Sequence, residues 1–218
     1  MYNLGEIMLP LILRLKKVGH KEIAQAQDIL VNELYSYFPS AVLHGGTAIW
    51  RCYHGQRFSE DIDVYILKDE EKLDLFFQEM ERKGFRITKR RIRENSLYST
   101  LQWNRVEIRF EALFIAKKGI LKEYETAESN YITVYTLSPE ALIEEKVAAY
   151  LNRLKVRDLY DIFFLLRFVS DKKSIASSLK RLLTNFCDPV DKHDLQILVL
   201  EGLIPTVEDM VTYMKRLL

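Results

Sequence analysis

The chain reads as an α+β protein, a small mixed sheet flanked by helices and followed by a C-terminal helical bundle. Three observations predict this. Strand-like runs cluster between positions 41 and 135, helical repeats of apolar residues separate them, and from Ser138-Pro139-Glu140 onward the pattern is helical. Its 218 residues are 48% apolar and 29% charged, with only eight Gly and five Pro, which is globular composition able to bury a sizeable core.

From about Lys21 to Phe38, Ile23, Ala26, Leu30, Leu34 and Phe38 recur at helical spacing until Pro39 stops them. Ala41-Val42-Leu43 then runs into Gly45-Gly46 as a buried strand ending in a tight turn, with a short helix over Thr47–Tyr53. Asp61 to Ile66 alternates and is then β-branched or aromatic, a second strand that puts Asp61 and Asp63 on one face. Lys68 to Lys83 is a charged helix burying Leu73, Phe76, Phe77 and Met80, with Gly84 placed as its αL cap.

Three strand-like runs follow, Phe85–Arg93, Ser96–Trp103 and Arg105–Phe114, separated by Asn95 and Asn104 in the manner of an antiparallel meander. In the last, Glu107, Arg109 and Glu111 share a face. A further strand is expected near Tyr131–Tyr135. Ser138 as N-cap and Pro139 at the first position open the helical part, with helices near 139–151, 156–169, 172–186 and 206–217. We expect a catalytic unit over 1–137 with N-terminal helices, and a helical part over 138–218 that closes its cleft.

The formal charge of +1 neither predicts nor excludes a polyanion partner. Cys52 and Cys187 have no CxxC or metal-type neighbours, so neither a disulfide framework nor a zinc site is indicated. The apolar run Met8–Leu13 is too short to span a bilayer and precedes Arg14, Lys16 and Lys17, the reverse of a signal peptide's order. It is expected to be a buried packing segment, and the protein cytoplasmic with no membrane partner.

Two carboxylates two positions apart on a strand repel one another when ionised, and a divalent cation relieves that repulsion. Oxygen ligands of this kind suit Mg²⁺, with Mn²⁺ as an alternative, which fills its other positions with water and phosphates. Upstream, Gly45-Gly46 lets backbone approach a ligand closely, and Thr47 and the following helix N-terminus suit a triphosphate tail. Lys146 lies on the apolar side of its helix, beside Leu142, Ile143, Ala149 and Tyr150, with no acid at ion-pair spacing, so its anion must come from elsewhere. Asp158 and Asp161 share a helical face and have Arg157 and Arg153 as candidate ion partners. His44 and His54 read as packing beside the motif. The segment Arg82–Arg93, with Lys83, Arg86, Lys89, Arg90 and Arg91, reads either as a solvated face or as a receiver of an RNA backbone.

Strand, Gly-Gly-Thr turn, short helix, then Arg57-Phe58-Ser59-Glu60-Asp61-Ile62-Asp63 resembles the signature of the DNA polymerase β-like nucleotidyltransferase superfamily. Leu43-His44-Gly45-Gly46-Thr47-Ala48-Ile49, together with the pair Glu145-Lys146-Val147-Ala148-Ala149 and Arg157-Asp158-Leu159-Tyr160-Asp161, most resembles the AbiEii/AbiGii toxin family. Only Ile49 departs from that pattern, conservatively. The resemblance implies the polymerase β-like nucleotidyltransferase fold and an enzyme that transfers a nucleotide from an NTP. It implies Asp61 and Asp63 as Mg²⁺ ligands, Gly45, Gly46, Thr47 and Ser59 around the nucleotide, Lys146 reaching it, and Asp158 completing the catalytic set. The third metal carboxylate is expected to be Glu107, with Glu111 sharing its parity and a similar context. The resemblance also implies the toxin of a type IV-like toxin–antitoxin pair, with a cognate antitoxin and a tRNA 3′ end as acceptor. The alternatives are a protein- or small-molecule-modifying nucleotidyltransferase and a catalytically silent nucleotide-binding module.

Overall fold

A computed structural model describes residues 9–218. A seven-stranded mixed sheet runs in the order β3-β4-β5-β2-β1-β7-β6, larger than the sequence indicated. Its strands are β1 (Val42–His44), β2 (Ile62–Ile66), β3 (Arg86–Ile92), β4 (Ser96–Trp103), β5 (Val106–Phe114), β6 (Ile120–Glu125) and β7 (Tyr131–Thr136). The expected meander is present as β3-β4-β5, turning at Asn104, whose φ is +51°. Pairing is antiparallel except for β2 with β5 and β1 with β7. The unexpected strand is β6, whose Ile-Leu-Lys-Glu-Tyr-Glu sequence has no clean alternation. It is held by a full antiparallel register against β7.

One face of the sheet is covered by α2 (Val18–Tyr37) and α4 (Glu70–Arg82). Alternation on β5 decides what they meet. Ile108, Phe110 and Ala112 are buried there, with Phe110 5.4 Å from the Phe76 ring of α4. Burying a phenylalanine of this kind contributes roughly 1.5–3 kcal/mol. Asp69 caps α4 by accepting from the Lys72 amide, and Gly84 ends it at φ +88°.

The residues of opposite parity on β5, Glu107, Arg109 and Glu111, point to the other face. Toward that side lie α5 (Pro139–Arg153), whose Glu145 meets His44 and Tyr65, and α6 (Val156–Leu165), whereas α3 (Gly45–Cys52) packs beside α2, Arg51 donating to the Ala24 carbonyl and lying over Tyr124 of β6. Ser138 caps α5 through the Ala141 amide, and Pro139 occupies its first turn. Leu154, at φ +49°, turns the chain tightly so that α5 and α6 pack side by side. Then come α7 (Ala176–Thr184), α8 (Leu195–Leu198) and α9 (Val207–Lys215), the last opened by a Thr206–Asp209 capping box. One continuous apolar core runs from Val64 and Phe110 of the sheet to Leu159 and Met214 of the helices.

The opening apolar run is only partly a packing segment. In α1 (Leu11–Arg14) Leu11 is buried, but Leu9 and Leu13 are about 60% exposed, at 60% and 61%, and Met8 lies outside the described residues. Among the described residues no helix is long and apolar enough to cross a membrane.

Candidate active site

The chain passes from β1 into α3 with no loop between them, and the turn works only with glycine. Gly45 has φ +71°, and a Cβ there would stand 2.3 Å from Asp63 Oδ2. A Cβ on Gly46 would meet Ser59 Oγ at 2.5 Å and Arg57 Nη2 at 2.7 Å. A carboxylate and a cation thus pack against bare backbone. Thr47 departs from expectation. It is fully buried and its hydroxyl donates to the Asp61 carbonyl, so its side chain ties the glycine turn to the carboxylate strand and does not line the cleft. Gly46 and Ser59 do line the cleft.

Asp61 and Asp63 enter that cleft side by side, and the parallel register of β2 with β5 sets Glu111 directly beside Asp63. Glu107, the expected third acid, does not join them. It lies opposite Gln102 of β4, is exposed, and accepts a 3.2 Å hydrogen bond from Thr88. Parity allowed both acids, and only the strand register separates them. Burial first, and then the neighbouring charge of Asp63, pushes the Glu111 carboxyl above its ordinary range. Asp63 is pushed up as well, by burial and then by Asp61, although His44 beside it pulls the other way. His44 is itself oriented, its Nδ1 3.1 Å from Glu145 and its ring stacked on Tyr65 at 4.1 Å.

Arg109, on the same face of β5 as Glu111, grips both oxygens of Asp61, with Nε 2.7 Å from Oδ1. Among the described residues no three side chains stand gathered in ready metal-binding geometry. The donor set nevertheless fits a hard divalent cation. Three carboxylates line one cleft, and two of them resist ionisation where they stand.

Facing the acids is a wall of cations held by two buried aspartates. Lys146 of α5 finds the anion it required on α6: its Nζ is 2.8 Å from Asp161 and 3.4 Å from Asp158. Arg57 pairs bidentately with Asp161, both bonds at 2.8 Å, and Arg153 with Asp158 at 2.7 and 2.8 Å. Burial opposes the charge on Asp161, but Arg57 and Lys146 outweigh it and hold the carboxyl below its usual range. Asp158 is wholly buried and does not line the cleft, so it serves the site by fixing Lys146 and Arg153. Of the expected ion partners of Asp158 and Asp161, Arg153 takes up Asp158, while Asp161 is held by Arg57, which the sequence assigned no partner. Arg157 lines the cleft and makes no ion pair among the described residues.

The cleft has a volume of about 170 Å³ and is almost entirely polar, with acids on the sheet side and cations on the helix side. A larger cavity of about 570 Å³, between the α8 and α9 segments, contains none of the motif residues.

The chain matches the family model described as nucleotidyl transferase AbiEii toxin, type IV TA system, over residues 28–215. No curated protein matches it by sequence. Among solved structures it is similar to MenT4, a nucleotidyltransferase toxin from Mycobacterium tuberculosis, at 17% identity and a TM-score of 0.63, covering 96% of this chain and 89% of that one. It is also similar to JHP933 from Helicobacter pylori, at 19% identity and a TM-score of 0.59, covering 92% and 89%. At such identities the likeness shows the fold.

Proposed function

This chain belongs to the AbiEii nucleotidyl transferase toxin family and is a nucleotidyl transfer enzyme, and from that premise we propose that it moves a nucleotide from an NTP to the 3′-terminal hydroxyl of tRNA, with Mg²⁺ held by Asp61, Asp63 and Glu111. The observation that carries this reading is the β2–β5 register, which puts three carboxylates opposite a cationic wall. When bound, the metal supplies positive charge between the carboxylates and the phosphate oxygens.

The protein's own residues then position and neutralise. Gly45 lets Asp63 pack close to the turn, and Gly46 with the Ser59 hydroxyl lines the part of the cleft that takes the triphosphate. Lys146, Arg153 and Arg157 face the β- and γ-phosphates and offset the charge that grows on pyrophosphate. The acceptor oxygen attacks the α-phosphorus as the α–β phosphoanhydride P–O bond breaks. Its proton is released to solvent water as pyrophosphate leaves against the helix-side cations. A cognate antitoxin is the natural partner of such a toxin, and the type IV-like arrangement is part of the same reading.

The test is incubation of the protein with total tRNA, Mg²⁺ and each NTP labelled at its α-phosphate, beside Asp63→Ala. Label moving to RNA only with Asp63 intact would establish the transfer and name the donor. Label on protein would replace the acceptor. Nucleotide binding without any transfer would favour a silent module, the reading to which the Arg109–Asp61 pairing lends itself.

A further inference from the structure

The basic segment that follows α4 is divided by a β-bulge, and the division has a direction. In β3, Arg86 lies opposite Gln102 and Ile87 opposite Leu101, but the register then slips so that Lys89 faces Thr100 and Arg91 faces Tyr98. Thr88 is the extra residue, its hydroxyl within hydrogen-bond reach of the Thr100 carbonyl at 3.1 Å and of Glu107 at 3.2 Å. Side chains on a strand alternate, so a one-residue slip exchanges the faces of everything beyond it. Without the bulge Lys89 and Arg91 would share the core face with Ile87. With it they turn to the face that carries Arg109 and Glu111, while Arg90 goes over the edge to pair with Asp74 and lie on Phe77.

Cross-strand rows now lead into the active site. One runs Asp63, Glu111, Tyr98, Arg91; the other runs Arg109, Thr100, Lys89. Three strand intervals separate Arg91 from Asp63, about 14 Å at the usual spacing. Lys89 and Arg91 are exposed and meet no acid among the described residues, and the Lys89 ammonium is held 4.8 Å from the Tyr98 ring. On β3, β4 and β5 this face carries one acid outside the site, Glu107, which lies 3.2 Å from the Thr88 hydroxyl.

The geometry points to this β3–β4 face, and to Lys89 and Arg91 in particular, as the docking surface for the phosphodiester backbone of the RNA acceptor. Two unpaired cations an RNA's short reach from the carboxylates fit that polyanion, and they would hold it with its terminal hydroxyl at Glu111. This inference rests on the RNA-acceptor reading above and adds the path by which the acceptor arrives.

The experiment measures tRNA affinity without NTP across a salt series, and then tRNA KM and kcat, for the wild type and for Lys89→Ala/Arg91→Ala. The control is Lys72→Ala/Arg82→Ala, the same charge change on α4 behind the sheet. The expected result is a tenfold or greater loss of tRNA affinity and a salt slope shallower by about 1.5 for the two phosphates lost. KM for tRNA should rise by the same factor with kcat within about twofold, and the α4 control should leave all of these unchanged. Unchanged affinity and slope in the β3 double variant would overturn the surface even where the wild type labels tRNA. Face-dependent tRNA binding without labelling would instead remove the acceptor assignment and keep the surface. Polyglutamate that displaces tRNA at equal charge concentration would reassign the face to an acidic protein and overturn the proposal.

Discussion

Asp63 of β2 and Glu111 of β5 stand side by side in a parallel register, and each is harder to ionise than a carboxylate in water. Two unit charges a few Å apart repel by about 1–4 kcal/mol between the limits of water and a protein surface. Burial first, and then neighbouring carboxylate charge, makes the ionised acids costly, and on the proposed reading a cation offsets that cost. Asp63→Asn in metal-free buffer is expected to raise Tm by a few degrees, at roughly 2–4 °C per kcal/mol for a chain of this size. Mg²⁺ should raise the Tm of the wild type and leave that of the variant nearly unmoved, while the variant loses transfer. A thermal melt with and without Mg²⁺ decides it; a variant less stable than wild type in chelator would show that the acids are held by bonds rather than strained by repulsion.

The glycine turn makes a sharper demand. Gly45→Ala places a methyl 2.3 Å from the Asp63 carboxylate on a backbone of φ +71°. The left-handed backbone alone costs about 1–2 kcal/mol for a residue with a Cβ. Asp63 must also move, so Mg²⁺-dependent NTP binding is expected to fall more than tenfold while the protein still folds. Calorimetric titration with a non-hydrolysable NTP reads the binding, and retention of wild-type affinity would mean the turn has room that its geometry denies.

The sequence carried these two features for a physical reason: both are local. A Gly-Gly turn and an Asp-x-Asp pair are spelled within a few residues, and strand alternation alone gives the shared face of the acids. Glu111 could not be told from Glu107, because parity is a property of one strand and register is a property of two. The same limit hid β6, which is a strand only by virtue of β7, and hid the Thr88 bulge that re-aims Lys89 and Arg91. Lys146 showed the need for an anion in its own helix. Its anion, Asp161, came from another helix through the turn at Leu154. The direction of the Thr47 hydroxyl was not legible, because a hydroxyl after a Gly-Gly turn serves equally well facing inward, and here it does.

Asp161 anchors both Arg57 and Lys146 while almost fully buried, so breaking it leaves two cations short of a partner. Removing one member of a buried pair costs about 3–5 kcal/mol. Asp161→Asn should therefore melt roughly 6–20 °C lower, by the same conversion. Asp158→Asn should also be costly, but Arg153 is partly exposed and recovers some hydration, so its loss should be the smaller. Equal losses in the two variants would mean that the buried network, and not the individual pairs, sets the cost.

The same carboxyl predicts an acid limb. The folded value for Asp161 lies below the unfolded one, near 3.9 for a free aspartate, so its contribution is whole above that pH and is lost as pH falls through the folded value. Asp63 and Glu111 act oppositely: their folded values are raised, so protonating them as pH falls toward the unfolded value adds stability. In chelator the wild type should thus hold or gain Tm from pH 7 toward about 5 and lose it steeply below about 4. Asp63→Asn should flatten the upper part and Asp161→Asn the lower part. A monotonic loss from pH 7 downward would assign acid sensitivity to other groups.

On the proposed reading Arg109 competes with Mg²⁺ for Asp61. It occupies both oxygens of Asp61 from a half-exposed position, where an ion pair is worth at most about 1 kcal/mol. Mg²⁺ must displace that guanidinium to use Asp61, so Arg109→Gln should lower the half-saturating Mg²⁺ concentration by about 2–5-fold, the equivalent of that energy. The conservative Arg109→Lys keeps the charge but not the two-pronged grip, and should fall between the wild type and Arg109→Gln. Mg²⁺ titration of NTP binding measures this directly. A higher half-saturating concentration in Arg109→Gln would mean that Arg109 helps assemble the loaded site, by turning from Asp61 to the phosphates, and that its present grip is the resting position of a ligand-binding residue.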